Sequence, residues 1–193
     1  MSSGVRVPLA QAHAVAGELV SILGIGCERI EVAGSIRRRT ADVGDIELVA
    51  VPTVTTETIP GLLEDGTREV DQLQLFVETL LIQGTLVPHP TDPKRGPKYS
   101  KLLHAASGLQ VDLFSAERDF FGLIWLIRTG PAEYSRWLVT EARSRGFHVA
   151  EAELHRGRLG CSSAMPCVVV ATPDEVDVYR ALGIPHTRPE DRR

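Results

Sequence analysis

Three carboxylate residues lie in segments whose spacing could place them on one face of a sheet. Asp45 and Glu47 alternate with apolar residues in DIELVAV, and Asp112 stands inside the apolar run QVDLF. Because residues i and i+2 of a strand point to the same face, Asp45 and Glu47 project side by side. If the strand of Asp112 is a neighbour, three carboxylates converge, and a divalent cation would offset their repulsion.

The ligands that these residues offer are oxygens only, without His or Cys, which indicates Mg²⁺ rather than zinc. Two such ions about 4 Å apart can clamp the attacking and the leaving oxygen of a phosphoryl transfer. A carboxylate can also take the proton of the attacking hydroxyl. The acidic residues therefore predict a metal-dependent transfer of a phosphorus-containing group.

A Gly-Ser pair precedes the acidic pair by about ten residues and supplies features that bind phosphate. Gly34 has no Cβ, so a triphosphate can approach the backbone closely. Ser35 offers a hydroxyl and, with neighbouring N–H groups, an anion-binding concavity, and Arg37 and Arg38 follow within reach. A lone Gly-Ser pair means nothing and a lone Asp-x-Glu is usually solvated surface, but their joint spacing favours a nucleotide-transfer site.

Periodic apolar residues predict the elements that position these groups. An amphipathic helix is predicted over residues 8–23, with its apolar face made by Leu9, Ala12, Ala16, Leu19 and Leu23. The predicted strands are 30–33, 45–51, 99–104 and 109–114. A second helix is predicted over 68–83, and the predicted loops are residues 53–67 and the segment PHPTDPKRGPKYS.

The character of the sequence changes after Phe114. Two helices are predicted over 118–128 and 131–145, then short strands within 147–170, with a turn near Gly157 to Gly160. A capping box of Thr172 and Glu175 predicts the start of a last helix that ends at Gly183. We therefore expect an α+β protein with a boundary near residue 118, a mixed β-sheet with flanking helices before it and a small α/β unit after it.

The composition is that of an ordinary globular protein, with 193 residues, 43% hydrophobic residues and a net charge of −4. An acidic chain is expected to hold nucleic acid weakly or locally. The N-terminus lacks the pattern of a signal peptide, and the longest apolar runs are short for a bilayer, so a cytoplasmic protein without membrane contact is expected. The three widely spaced cysteines are expected to be reduced thiols.

The sequence resembles the nucleotidyltransferase superfamily and, within it, the family X DNA polymerases. The likeness starts in GSIRRRTADVGDIELVAV and continues in KRGPKYSKLL, QVDLF, IRTGPAEYSRWL and TPDEVDVYRALGIPHTRPEDRR. It implies a catalytic nucleotidyltransferase palm over residues 1–118 and a thumb over 119–193, with no lyase or fingers domain expected before the palm.

The resemblance also assigns roles to individual residues. Asp45, Glu47 and Asp112 would be the catalytic residues and the ligands of two Mg²⁺ ions, for which Mn²⁺ could substitute, and Asp112 would be the base. The residues implied to bind the nucleoside triphosphate are Gly34, Ser35, Arg38, Gly44, Arg6, Thr129 and Gly130. The residues expected to contact the nucleic-acid backbone are Lys94, Arg95, Lys98 and Lys101.

The sequence departs from the family pattern at several positions. Glu47 stands where the polymerases carry Asp, Gln110 where they often carry Arg, and Ile127 and Arg128 where they carry an aromatic pair. The thumb residues that read the base and template are also replaced, by Ala132, Ser135 and Val139.

These departures leave two functions open. One is a DNA polymerase that extends a primer 3′-OH, on primer/template or gapped DNA, in short gap filling for DNA repair, with a helper protein as a further partner. The other is a template-independent or small-molecule, RNA or protein nucleotidyltransferase. An inactive DNA-binding module is a third interpretation, which the intact carboxylates disfavour. Core packing is expected for Trp125 and Trp137 rather than base stacking.

Overall fold

The computed structural model describes residues 4–60, 66–157 and 167–192. The elements before residue 118 are β1 (Val7–Pro8), α1 (Leu9–Leu23), β2 (Cys27–Val32), α2 (Gly34–Arg37), β3 (Asp42–Val43), β4 (Asp45–Pro52), β5 (Val54–Ile59), β6 (Gly66–Asp71), α3 (Gln72–Ile82), β7 (Leu86–Pro88), β8 (Lys94–Arg95), β9 (Tyr99–His104) and β10 (Gln110–Ser115). The elements that follow are α4 (Phe121–Thr129), α5 (Ala132–Ser144), β11 (Phe147–Ala150), β12 (Glu153–Arg156), β13 (Val168–Val170) and α6 (Glu175–Leu182).

A mixed sheet carries the N-terminal part of the chain. Its strand order is β2-β4-β10-β9-β7, and β8 pairs with β9. Only the β4–β10 pair is parallel, and the other pairs in this sheet are antiparallel. Helices α1 and α3 bury their apolar residues in the same core cluster as the sheet. The predicted α+β class, with a mixed sheet and flanking helices, is confirmed.

Helix α1 matches the predicted amphipathic helix. By length and composition alone, the segment Leu9–Gly26 is long and apolar enough to cross a bilayer. Its uninterrupted apolar runs are short, so the sequence does not single out this segment. Ala12, Ala16, Leu19 and Leu23 are nevertheless completely buried in the sheet-facing core. A core helix passes the same compositional test, so this segment carries no argument for a membrane.

The prediction of a loop over 53–67 is wrong for residues 54–59 and 66–67, because β5 and β6 form a two-stranded antiparallel ribbon. Residues 61–65 of the predicted loop lie outside the described residues. Every residue of β5 and the first four of β6 are exposed. Such a ribbon buries no alternating apolar face, so the usual strand periodicity is missing from its sequence. Helix α3 consequently starts at Gln72 rather than at residue 68.

The prediction of an irregular segment from Pro88 to Ser100 is also wrong in part. Lys94 and Arg95 pair with Lys101 and Ser100 as a short strand at the edge of the sheet. Prolines 93 and 97 flank this strand, and edge positions tolerate proline.

The C-terminal part has its own core, made by α4, α5, α6 and a three-stranded sheet of order β11-β12-β13. Helices α4 and α5 begin and end within a few residues of their predicted bounds, and residues 158–160 of the predicted turn lie outside the described residues. The exact domain boundary near residue 118 stays a prediction.

Helix α6 is capped differently from the prediction. Its capping box is formed by Asp174 and Asp177, and the Asp174 backbone N–H donates to Asp177 Oδ2 at 3.0 Å. Thr172 and Glu175 were expected to form this box, but Glu175 points into the protein and is 4% exposed. The helix ends at Gly183 as predicted, with a left-handed φ of 63°.

The expectation of reduced cysteines is only partly met. Cys27 is a free thiol that donates to the Leu23 carbonyl oxygen. Cys167 is disulfide-bonded, so the expectation is wrong for that residue.

Candidate active site

The strand register brings the three acidic residues to one face of the main sheet. In the parallel pair of β4 and β10, Asp112 lies opposite Glu47, and Gln110 lies opposite Asp45. Paired residues and their i±2 neighbours point to the same side, so all three carboxylates share that side. We call Asp45, Glu47 and Asp112 the carboxylate face.

The carboxylates of this face interact electrostatically. Burial, then the charges of Asp45 and Asp112, raises the pKa of Glu47 from 4.5 to about 8. Burial and the Asp112 charge also raise the pKa of Asp45, while Arg38 and Arg6 oppose that shift. Within the described residues, no cation forms an ion pair with any of the three carboxylates. Such a face is suited to a divalent cation.

The donor chemistry fits Mg²⁺, but the side chains are not gathered around a common point. In the part of the chain that the structure describes, no group of three or more His, Cys, Asp or Glu side chains is arranged to hold a metal ion. The backbone positions therefore fit a metal centre, and the side-chain orientations do not yet form one.

Asp112 has both carboxylate oxygens engaged. The Tyr99 hydroxyl donates to Oδ1 at 2.5 Å, and the Gln110 amide donates to Oδ2 at 2.6 Å. Sequence reasoning missed the role of Tyr99. The only signal was that Tyr99 and Asp112 lie in two adjacent predicted strands, whose register the sequence does not fix.

Glu47 leans against the Gly-Ser segment. A Cβ at Gly34 would overlap the Glu47 carboxylate, and Gly34 has a positive φ of 59°. The positive φ favours glycine here, and the Glu47 side chain takes the space that a Cβ would need. A side chain of the protein thus approaches Gly34 closely, and the approach of a triphosphate to this glycine stays a prediction.

Ser35 lies in the short helix α2, and its hydroxyl oxygen is buried without a hydrogen-bond partner among the described residues. Buried polar atoms are rarely left unpaired, so an orphaned hydroxyl beside the acidic residues is consistent with a binding group for a ligand. This placement agrees with the role that the resemblance implies for Ser35.

The two arginines after Ser35 reach toward the end of α4. Arg38 donates to the Thr129 carbonyl oxygen at 2.5 Å and interacts with the charges of Glu47 and Asp45. Arg37 donates to Thr129 Oγ1 at 2.8 Å. Thr129 is fully buried, and Gly130 follows it at the end of α4. Arg38, Thr129 and Gly130 therefore lie close together, and their role in binding a nucleotide stays a prediction.

Arg6 and Gly44 also lie at the carboxylate face. Arg6 donates to the Asp42 carbonyl oxygen at 2.8 Å, and a Cβ at Gly44 would lie 3.4 Å from Arg6 Nη1. Because the Arg6 charge also lowers the pKa of Asp45, this exposed cation is available beside the acidic residues for an anionic ligand.

A cavity of about 590 Å³ opens beside Asp112 and Glu47. Two stacked aromatic rings line it, Tyr99 and Phe114, with centroids 4.8 Å apart. The Arg128 guanidinium lies 3.9 Å from the centroid of the Phe114 ring. The cavity is therefore large enough for a small ligand and combines acidic, aromatic and cationic groups.

The four basic residues expected to contact nucleic acid differ in their availability. Arg95 pairs with Glu78 at 2.5 Å, and Lys94 and Lys101 both pair with Asp92, at 3.6 and 3.1 Å. Lys98 forms no ion pair with any described residue, and it lines the cavity. Lys98 is thus the best placed of the four.

A buried ion cluster connects the Gly-Ser segment to the C-terminal part. Arg37 and Arg192 both form ion pairs with Glu175. Burial lowers the pKa of each arginine to about 10, so both remain charged at neutral pH. We call Glu175, Arg37 and Arg192 the Glu175 cluster. Sequence reasoning missed it, because Arg37 and Glu175 are 138 positions apart.

The two tryptophans differ. Trp125 is partly buried, donates to the Val32 carbonyl oxygen at 3.0 Å and lies under the Arg37 guanidinium, 3.3 Å from it. Trp137 is 44% exposed on α5, so the expectation of core packing is wrong for that residue.

Comparison with known proteins places this geometry in a known fold. Residues 124–193 match the family model described as the DNA polymerase beta thumb. Among solved structures, the chain is similar to polymerase beta of Leishmania infantum in a ternary P/T complex, with a TM-score of 0.70 and 20% identity. That match covers 98% of this chain and 77% of the Leishmania chain. The chain therefore has the fold of DNA polymerase beta, and its C-terminal part matches the thumb of that polymerase.

Proposed function

We propose that this protein is a DNA polymerase of the family X type, which transfers a nucleotide from a dNTP to a primer 3′-OH with two Mg²⁺ ions. The observation that carries the proposal is the in-register pairing of Glu47 with Asp112 on parallel neighbouring strands, with Asp45 two residues away on the same face. We further propose short gap filling in DNA repair and a cytoplasmic location, with a helper protein as an additional partner.

The carboxylate face would hold the metal ions through Asp45, Glu47 and Asp112. When bound, Mg²⁺ polarises the α-phosphate and stabilises both the attacking and the leaving oxygen, and Mn²⁺ would substitute for it. Asp112 is buried and Asp45 and Glu47 are half-buried, which would strengthen their interaction with a cation.

The chain's own residues would orient the reactants. The Ser35 hydroxyl, which has no other described partner, would donate to a phosphate oxygen. The charges of Arg38 and Arg6 both act on Asp45, and these arginines would bind the triphosphate tail together with the backbone of Gly44, which lies beside Arg6. Asp112 would take the proton of the primer 3′-OH.

The nucleotide sugar would lie in the cavity beside Ile127 and Arg128, which precede Thr129 and Gly130 in the chain. Lys98 would contact the primer backbone, and Lys94, Arg95 and Lys101 would do so only after exchanging their present ion pairs. DNA contact is therefore expected to be weak and local.

The proposal is tested with gapped DNA, Mg²⁺ or Mn²⁺, and each dNTP and rNTP. Template-matched extension is expected, and Asp45→Ala or Asp112→Ala is expected to abolish it while the circular dichroism spectrum stays unchanged. Residual rates in these variants similar to that of the wild-type protein would contradict the site assignment.

A template-independent or small-molecule, RNA or protein nucleotidyltransferase is the second candidate. Arg128 favours it, because Arg128 lines the cavity at a position where the family resemblance leads us to expect an aromatic residue. Untemplated addition, or transfer of label to RNA, protein or a small molecule, would support this candidate. No transfer from any triphosphate would leave only a DNA-binding module.

A further inference from the structure

The Tyr99 hydroxyl forms a hydrogen bond with one oxygen of the Asp112 carboxylate. It donates to Oδ1 at 2.5 Å, while Gln110 holds Oδ2 at 2.6 Å. Asp112 is only 7% exposed, so water offers little competition for these contacts. Both oxygens of this carboxylate are therefore engaged by neutral donors of the chain itself.

The Tyr99 ring has few ways to move. It stacks on Phe114 at 4.8 Å with an interplanar angle of 15°. Phe114 is in turn covered by the Arg128 guanidinium, 3.9 Å from its ring centroid. Stacking fixes the direction of the Tyr99 hydroxyl, so its hydrogen bond fixes the orientation of Asp112.

The three carboxylates share a face but form no metal-holding group among the described residues. The strand register places the Asp112 backbone beside Glu47, so a cation bound at this face would have to bind an Asp112 oxygen that already accepts a hydrogen bond. At Oδ1, such a cation competes with the Tyr99 hydroxyl.

We propose that Tyr99 is a positioning residue that holds Asp112 in a resting orientation, so that the metal centre is completed only when the Tyr99–Asp112 hydrogen bond is exchanged for a bond to the cation. This inference rests on the proposed function. In this role the Tyr99 hydroxyl competes with the cation for Asp112, whereas hydrogen bonds to metal ligands commonly support metal binding.

Tyr99→Phe isolates the hydroxyl, because the phenylalanine ring keeps the stacking on Phe114. The control is Tyr179→Phe, which removes a buried hydroxyl that contacts Tyr134 and Thr187 in the C-terminal core. Asp112→Ala serves as the variant that lacks the ligand. Free Mn²⁺ is measured by electron paramagnetic resonance during titration of each protein, without DNA or nucleotide.

We expect Tyr99→Phe to bind Mn²⁺ about five- to tenfold more tightly than the wild-type protein, because a hydrogen bond to a charged group no longer opposes binding. Tyr179→Phe should bind like the wild-type protein, and Asp112→Ala more weakly. In the presence of substrates, the Mg²⁺ concentration for half-maximal transfer should fall by the same factor in Tyr99→Phe.

Unchanged or weaker Mn²⁺ binding in Tyr99→Phe overturns the inference, whatever the wild-type protein transfers. If the wild-type protein transfers no nucleotide but Tyr99→Phe binds Mn²⁺ more tightly, the proposed function fails and the role of Tyr99 stands. If neither protein binds Mn²⁺, both are overturned.

Discussion

In the Glu175 cluster a buried carboxylate lies against two guanidinium groups, whereas on the carboxylate face three carboxylates lie beside one another. Glu175 is 4% exposed and is paired with Arg37 and Arg192. Glu47 is half-buried, yet no described cation forms an ion pair with it, and its pKa rises to about 8.

The charges of the Glu175 cluster stabilise the fold, whereas the charges of the carboxylate face are available to bind a cation. A buried ion pair needs both partners, because either one alone is an uncompensated charge. A cluster of like charges destabilises the fold until something from outside the chain compensates it. The two regions should therefore respond in opposite directions when a negative charge is removed.

Removing the charge of the Glu175 cluster should have the largest effect on stability. We expect Glu175→Ala to lower the free energy of unfolding by about 3–5 kcal/mol, because Arg37 and Arg192 are left buried without their partner. Urea denaturation followed by circular dichroism measures the loss.

The matched control is Glu133→Ala on α5. Glu133 pairs with Arg136, and both side chains are at least 70% exposed. This change should cost no more than about 1 kcal/mol. If Glu175→Ala costs no more than Glu133→Ala, the distinction between the two regions is lost.

Removing a negative charge from the carboxylate face should increase the stability of the protein rather than decrease it. The folded protein keeps a proton on Glu47 up to a pH of about 8, while the unfolded chain releases it near 4.5. The folded state therefore binds more protons between these values, and the stability of the metal-free protein falls as the pH rises through that window.

Glu47→Gln should reduce this fall and stabilise the metal-free protein at pH 8.5, by on the order of 2 kcal/mol after a discount for partial exposure. Thermal unfolding at pH 5.5 and 8.5 compares the variants, with the exposed Glu69→Gln as control. A melting temperature of Glu47→Gln below that of the wild-type protein at pH 8.5 would be incompatible with repulsion among these carboxylates.

The smallest effect is expected for a substitution of Lys98. This cation lines the cavity beside the carboxylate face and has no ion-pair partner among the described residues. Lys98→Ala should weaken binding to gapped DNA roughly fivefold and reduce the slope of log affinity against log salt by about one. Arg95→Ala should change both less, because Arg95 pairs with Glu78. Fluorescence anisotropy at several salt concentrations measures both, and equal losses would contradict the different availability of the two residues.

Much of the carboxylate face could be predicted from sequence because its signals are local. The alternation in DIELVAV and QVDLF gives both strands, and the resemblance adds Ser35, Arg38 and Thr129. Contacts that depend on strand register or on distant packing could not be predicted. Tyr99 reaches Asp112 only because β9 pairs with β10 in one register, and Arg37 reaches Glu175 only when the C-terminal part folds back.

The β5–β6 ribbon also could not be predicted from the sequence, for a different reason. Its strands carry Thr, Glu and Arg on both faces and remain exposed, so no apolar period marks them.

Helix α6 shows a choice between two local patterns. Thr172 and Glu175 match a capping box as well as Asp174 and Asp177 do, and the buried pairing of Glu175 decides between them.

Anomalous diffraction from crystals soaked in Mn²⁺ tests most directly whether the carboxylate face is a metal centre. We predict anomalous peaks at about 2.0–2.2 Å from oxygens of Asp45, Glu47 and Asp112, and their loss in Asp112→Ala. Mn²⁺ peaks elsewhere on the protein, with none between these three side chains, would contradict it.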